Sequence, residues 1–381
     1  MRFEFAAGRI VFGCGTVSEL GGHVRALGTR VFVITGSSPV RYAAALDSLK
    51  TITGGWFTVS GEPSVEVLGE AVEQARAAQC DVVVGIGGGS VIDTAKAVAA
   101  LLTNHGAVME YLEVVGEGKP LAQTAAPCVA VPATAGTGAE VTRNAVLYVP
   151  DARVKVSMRS ASMLPRLALV DPELTRSMPP EITASTGLDA LTQLIEPYVS
   201  CRANPLTDGI CVEGLTRAAR SLCRAYAEGQ DIGARQDMAV ASLFGGLALA
   251  NAGLGAVHGF AGPLGGMIGA PHGAICGRLL PWVMRANVAA MRQRSREHPA
   301  LRRYERIGRI VTGDAKATAE DAIDWVKRLC VDLAIPSLAA YGLTSELIPQ
   351  VVENAKRASS MKGNPIALTD EELRQIAADS F

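Results

Sequence analysis

Residues 81–102, DVVVGIGGGSVIDTAKAVAALL, constrain the fold of this chain more than any other stretch. A β-branched run leads into a glycine cluster, and an alanine-rich amphipathic segment follows. That order reads as buried strand, tight turn and helix, the repeating unit of a parallel sheet covered on both faces. RVFVIT (30–35), CVAVPA (128–133) and LALVDP (167–172) predict further strands of the same kind. EVLGEAVEQARAA (66–78) and SVIDTAKAVAALL (90–102) predict helices between them. After LVDPELTRSMPPE the strand signal fades at a proline-rich break. LTRAARSLCRAYAEG, RQDMAVASLFGGLALANA and AEDAIDWVKRLCVDL then carry helical patterning. The expected fold class is therefore an α/β domain over residues 1–176 followed by a helical domain over residues 177–381.

Length and charge narrow the function. A chain of 381 residues is long enough for two domains with sizeable cores. Its 36 basic and 37 acidic residues are well mixed, giving a formal charge of −1, so no nucleic-acid partner and no membrane surface is expected. The amino-terminal MRFEFAAGRIVFG lacks the apolar core of a signal peptide, and LALANAGLGAVHGFAGPLGGMIGA is broken by glycine, proline and histidine. The eight cysteines stand at least ten residues apart, with no CxxC pair. They are expected to be buried or free thiols in a reducing, cytoplasmic setting.

The glycine turn carries the first chemistry. Gly85, Gly87, Gly88 and Gly89 allow a diphosphate to approach their backbone amides, and the helix that follows presents its positive end to the anion. Ser90 is expected to cap that helix, with Asp93 three residues on in a capping-box-like position. A second polar turn, VPATAGTGAEVT (131–142), offers the hydroxyls of Thr134 and Thr137 beside two more glycines. Two such turns after two strands of one sheet favour a dinucleotide crevice over a pair of plain connections. After the early strand, where an acid often holds the adenosine ribose, the sequence has Gly36, Ser37 and Ser38, with Arg41 nearby. With no carboxylate to repel a 2′-phosphate, NADP(H) is expected to be favoured over NAD(H).

Of the five histidines, His23, His105 and His298 lie in polar surroundings. His258 and His272 bracket the apolar VHGFAGPLGGMIGAPHG. Asp189 and Gln193, in GLDALTQLIEPYVS, are spaced to share one helix face. Together the four make either an N₂O₂ set for a divalent cation or ordinary polar residues of a core.

The chain resembles the iron-containing (group III) alcohol dehydrogenase family from about residue 5 to residue 376. GIGGGSVIDTAKA, VPATAGTGAEVT, LVDPEL, GLDALTQLIEPYVS, GLGAVHGFAGPLGG, PHGAICGRLLPWV and KGNPIALTDEEL carry the resemblance in order. It implies a Rossmann-like amino-terminal domain and an all-α carboxy-terminal domain, the two-domain layout also found in dehydroquinate synthase. It implies pyrophosphate binding at Gly87, Gly88, Gly89 and Ser90, a contact from the threonine loop, and Lys155 near the nicotinamide ribose. It also implies a homodimer. Three of the family's four metal ligands match, at Asp189, His258 and His272. The fourth position holds Gln193 in place of histidine, and Gly262 stands where many members carry a proton-handling histidine.

The expected reaction is reversible hydride transfer between a primary or secondary alcohol and its aldehyde or ketone. The cation, Fe²⁺ or Zn²⁺, would be held by Asp189, Gln193, His258 and His272 and would polarise the carbonyl. Without a metal, His258 or His272 would donate to the carbonyl oxygen instead, as in a metal-independent reductase of the maleylacetate reductase type. The acidic substrate of such an enzyme needs cationic groups, for which Arg143 is a candidate. A lyase of the dehydroquinate synthase kind fits the motifs less well. A non-catalytic nucleotide-binding sensor is the reading from another class, and Gln193 and Gly262 are the features that keep it open.

Overall fold

The computed structural model describes residues 3–152 and 154–381. Contacts divide the described residues into two units, one over Ala6–Ser177 and the other over Met178–Phe381 together with residues 3–5.

Among the described residues the first unit has eight strands: β1 (Arg9–Phe12), β2 (Val31–Gly36), β3 (Thr53–Val59), β4 (Val82–Gly87), β5 (Cys128–Pro132), β6 (Asn144–Val149), β7 (Val154–Arg159) and β8 (Leu167–Val170). Six of them form a parallel sheet in the order β1-β8-β5-β4-β2-β3, and β6 and β7 make a separate antiparallel hairpin. Its helices are α1 (Leu20–Arg25), α2 (Ala43–Leu49), α3 (Val65–Ala77), α4 (Gly89–Thr103) and the single turn α5 (Val108–Tyr111). Val31, Val33, Val82, Val84 and Ile86 pack on one face of the sheet, and Phe32, Ile34 and Val83 on the other. Both faces are dry, which is why the strands read as continuous apolar runs. The chain leaves β2 outward to β3 and returns to β4 on the other side of β2, so the direction of winding reverses between β2 and β4. A parallel sheet opens a crevice at the carboxyl ends of such a strand pair. Gly36 and Gly87 end these two strands, one residue past the paired Thr35 and Ile86.

The second unit is helical: α6 (Pro180–Val199), α7 (Pro205–Ala227), α8 (Ile232–Ala252), α9 (Ala256–Ile268), α10 (His272–Arg294), α11 (Pro299–Thr312), α12 (Ala319–Asp332), α13 (Ile348–Arg357) and α14 (Asp370–Asp379). Helix α6 is almost wholly buried from Gly187 to Val199, which places the polar Asp189, Gln193 and Glu196 inside the unit. Prolines inside α10 and α6 each leave a carbonyl without its helical donor. Beyond Pro281 that carbonyl is Gly277's, and the Cys330 thiol donates to it at 3.2 Å. Among the described residues no single helix is long and apolar enough to cross a membrane.

Candidate functional site: a coenzyme turn and a buried ligand cluster

In the first unit, the turn after β4 and the turn after β5 lie against each other. A Cβ on Gly89 would fall 2.8 Å from Thr137 Cγ2, and one on Gly87 would fall 2.7 Å from Val91 Cγ2. These two glycines are therefore required by packing, because any side chain would force the threonine loop or α4 away. Gly88 is looser, with Thr134 Cγ2 at 3.4 Å from the same imagined atom. The structure corrects the expected cap. Gly88, not Ser90, is the N-cap of α4, no side chain caps it, and Ser90 is already the second helical residue. Asp93 makes no capping box. Its Oδ2 accepts the Val146 amide at 3.0 Å and its Oδ1 pairs with Lys96 Nζ at 2.8 Å. Asp93 thus ties α4 to the β6–β7 hairpin and faces away from the turn. Without a side-chain cap, the amides of Gly89 and Ser90 are left for an anion at the mouth of α4.

The remaining coenzyme candidates sit at the rim. Gly36 is open, its imagined Cβ meeting only Val91 Cγ2 at 3.9 Å. Ser37 and Ser38 are exposed between β2 and a 3-10 turn that begins at Pro39. Arg41 is turned to Ser177, donating from Nε to Oγ at 2.8 Å, so it does not bend back over Gly36 through that nitrogen. Lys155 lies on β7 with its ammonium 2.8 Å from Glu62 Oε1. Arg143 is exposed ahead of β6.

In the second unit, three helices converge on Asp189. Two glycines set their approach: a Cβ on Gly273 would stand 1.9 Å from the Ser185 carbonyl oxygen, and one on Gly277 would stand 2.5 Å from the Leu188 side chain at Cδ1. With hydrogen there, the start of α10 presses onto α6. His272, the first residue of α10, then brings Nε2 to 3.8 Å from Asp189 Oδ1, and His258 on α9 brings Nε2 to 3.4 Å from the same oxygen. The imidazoles converge at a tilt of 53°, with ring centres 5.4 Å apart. The side chains of Asp189 and His258 are 3% and 7% exposed, while that of His272 is 35% exposed, so the cluster opens to its surroundings at His272.

Two residues of this cluster were not singled out from sequence. Glu196, two turns beyond Asp189 on α6, accepts the Val257 amide at 2.7 Å through Oε1 and pairs with His258 Nδ1 at 2.6 Å through Oε2. A carboxylate accepts only, so Nδ1 carries a proton toward Glu196, and Nε2 is the nitrogen turned to Asp189 and to any cation held there. Cys276, one turn beyond His272, joins Asp189, His258 and His272 in a group whose donor atoms all lie within 4.8 Å of one another. Cys276 is a buried free thiol, as expected of the cysteines, yet it stands among candidate ligands. Its helical spacing from His272 was the available signal; a search for CxxC pairs does not test that spacing.

Asp189 Oδ1 and Gln193 Oε1 are both buried without a hydrogen-bond partner. Such orphans are costly unless something else satisfies them. The local charge says what. Burial alone would lower the His258 imidazole, but the Cys276 sulfur and the Asp189 and Glu196 carboxylates outweigh it and raise it well above its usual value. The cluster demands positive charge. A divalent cation fits the residues present.

The model described as iron-containing alcohol dehydrogenase matches residues 7–172, and that of the Fe-containing alcohol dehydrogenase family, C-terminal, matches residues 183–381. The chain is 33% identical to a 4-hydroxybutyrate dehydrogenase of Cupriavidus necator, covering 100% of both chains. It is 33% identical to long-chain-alcohol dehydrogenase 1 of Geobacillus thermodenitrificans, covering 98% of this chain and 96% of that one. An archaeal Red Sea brine pool alcohol dehydrogenase superposes with a TM-score of 0.92 at 27% identity, over 100% of this chain and 99% of that one. A sulfoacetaldehyde reductase of Bifidobacterium kashiwanohense in complex with NAD⁺ superposes with a TM-score of 0.89 at 30% identity, over 100% and 99%.

Proposed function

Because the chain belongs to the iron-containing alcohol dehydrogenase family, we propose that it interconverts an uncharged alcohol and its aldehyde or ketone with NADP(H) in preference to NAD(H), using a divalent metal. The observation that carries the metal-assisted reading is the buried, unpartnered Asp189 Oδ1 facing two imidazole nitrogens. Residues 1–176 bind the coenzyme and residues 177–381 hold the metal and substrate. Asp189, His258 and His272 hold the cation, and Gln193, one turn along the same face of α6, adds its amide oxygen to the wall of the site. When bound, Fe²⁺ or Zn²⁺ supplies a Lewis acid for the substrate oxygen.

The chain's own residues do the rest. The Gly89 and Ser90 amides at the mouth of α4 receive the pyrophosphate, with Gly87, Gly88, Thr134 and Thr137 shaping the turn around it. Asp93 contributes by fixing α4 in place. Lys155 exchanges its Glu62 partner for the nicotinamide ribose. Glu196 keeps the His258 proton on Nδ1, so His258 binds through Nε2 and is not the proton donor. With Gly262 bringing no acid or base, the substrate proton passes to water. The apolar, glycine-rich wall between His258 and His272 favours an uncharged substrate. All eight cysteines are free, which fits a reducing cytoplasm, and the working form is a homodimer.

The test is NADPH-dependent reduction of an aldehyde panel, with metal content measured before and after chelation. Near-stoichiometric metal, with activity lost on stripping and restored on return, is the expected result. Metal-free protein with undiminished turnover would move the assignment to a metal-independent reductase, with the half-exposed His272 donating to the carbonyl. Coenzyme binding with no turnover under either condition would leave a nucleotide sensor.

Coenzyme choice has its own test. The open space at Gly36 admits an aspartate without repacking. Gly36→Asp places a carboxylate where a 2′-phosphate is expected, and the two anions repel. The kcat/KM ratio of NADPH to NADH is expected to fall roughly 10- to 100-fold. An unchanged ratio would remove Gly36, Ser37 and Ser38 from the coenzyme site.

A further inference from the structure

The metal-assisted reading leaves one ligand position unsettled. Asp189, His258 and His272 supply three donors, and the resemblance implies a fourth protein ligand at a position where this chain carries Gln193. We infer that the fourth protein ligand is the thiolate of Cys276, making an Asp-His₂-Cys site in place of the Asp-His₃ set that the sequence resemblance implies. The inference rests on the metal-assisted reading and goes beyond it, because a sulfur donor changes which ion the site prefers.

Geometry carries it. His272 and Cys276 are one helical turn apart on α10, so their side chains leave the same face. Cys276 Sγ lies 3.9 Å from His258 Nε2, which itself lies 3.4 Å from Asp189 Oδ1, and Asp189 Oδ1 lies 3.8 Å from His272 Nε2. With metal bonds of about 2.0–2.3 Å, the edges of a tetrahedron run to roughly 3.3–3.7 Å. These three separations are within about half an ångström of those edges, and all four donor atoms lie within 4.8 Å of one another. The four atoms are therefore already near the corners that one small cation would occupy.

The surroundings of the sulfur point the same way. The nearby Cys330 settles its thiol in the ordinary manner, by donating to the Gly277 carbonyl. Cys276, equally buried, has its sulfur 3.9 Å from His258 Nε2 and within 4.8 Å of the His272 and Asp189 donor atoms, and Asp189 Oδ1 is buried and unpartnered. Gln193 is a weaker rival. It is a neutral amide, and its Cβ and Oε1 press against Gly245 of α8 at 3.1 and 3.3 Å from an imagined Cβ there.

Binding a cation here takes the proton from the thiol and releases it to solvent, one per metal bound through this ligand. A thiolate in the set favours the softer ion, so Zn²⁺ is preferred over Fe²⁺ at equal supply.

Cobalt makes the sulfur visible. Stripped full-length protein titrated with Co²⁺ should develop an intense near-ultraviolet sulfur-to-cobalt charge-transfer band that saturates at one ion per chain. Cys276→Ser should lose the band and bind Zn²⁺ roughly 100-fold more weakly or worse, while Gln193→Ala should keep the band. Stoichiometric Co²⁺ without the band, or a band that survives in Cys276→Ser, would overturn the ligand assignment while leaving the metal reading intact. Failure of Co²⁺ and Zn²⁺ to bind at all would overturn both. Should Cys276→Ser not fold, alkylation of the wild type decides. Zn²⁺ should protect Cys276 from iodoacetamide by at least tenfold in rate relative to the stripped protein, read by peptide mass spectrometry, and equal rates would overturn the proposal.

Discussion

Asp189→Asn should lower kcat/KM for aldehyde reduction by roughly 10³-fold, equivalent to about 4 kcal/mol of transition-state stabilisation. Asparagine matches aspartate in shape, so the change removes charge and little else. In the folded chain Asp189 Oδ1 accepts no hydrogen bond and faces His258 Nε2 and His272 Nε2. The carboxylate is therefore the one anionic oxygen donor that both imidazoles share, and a neutral amide in its place weakens the hold on a cation. Metal content should fall with activity. Thermal unfolding separates this from a packing defect, since the stripped variant should melt close to the stripped wild type. A variant that retains metal and activity within a few-fold of wild type would remove Asp189 from the ligand set.

The largest expected loss of stability lies in the other unit. Lys96 is fully buried, and its ammonium donates to the Ala139 carbonyl at 2.9 Å, to Thr142 Oγ1 at 2.9 Å and to the Asn144 carbonyl, beside the Asp93 carboxylate at 2.8 Å. Lys96→Met keeps the chain length and removes this donor from every one of these acceptors, leaving Asp93 a largely buried anion with only the Val146 amide and the Ala139 carbonyl with only the Thr142 donors. Breaking such a set costs about 3–5 kcal/mol. For a unit of this size the unfolding transition should drop by roughly 10 °C in calorimetry. The same lysine shapes the pH response through Glu140. Burial raises the Glu140 carboxyl from 4.5 to about 7, against the opposing pull of its own backbone amide and of Lys96. Because the folded chain holds that proton more tightly than the unfolded one, the stability it contributes is full below 4.5 and lost as pH rises through about 7. The span is worth roughly 3 kcal/mol. Glu140→Gln should flatten that fall, and Lys96→Met should move it to higher pH. A Lys96→Met protein that melts with the wild type would show that the buried network contributes little.

Much of the architecture was legible because burial leaves a chemical trace. The strands β2, β4, β5 and β8 lie within about one or two residues of RVFVIT, DVVVGIG, CVAVPA and LALVDP, since a strand dry on both faces must be apolar throughout. Strand β3, TGGWFTV, escaped because two glycines break the apolar run. The β6–β7 hairpin escaped because its alternation of buried and half-buried residues spans only six positions per strand. In the ligand cluster, Asp189, His258 and His272 stood out as polar residues in apolar text. Glu196 and Cys276 did not: a carboxylate near a helix end reads as surface, and a lone cysteine reads as core. Their positions, two turns from Asp189 and one turn from His272, acquire meaning only once α6, α9 and α10 are known to meet. The capping error at Ser90 has a similar origin, because a glycine N-cap offers no side chain to recognise.

The glycines at 273 and 277 have a consequence for how the cluster is assembled. They put the backbone of α10 in contact with α6, so the spacing of His272 and Cys276 from Asp189 is fixed by main chain and not by rotamers alone. The site is preorganised. The entropy of gathering ligands from separate helices is lost when the helical unit folds, and an incoming ion meets donors already in place. Natural variation at these two positions should accordingly be narrow for reasons of architecture, even though neither residue carries a functional group.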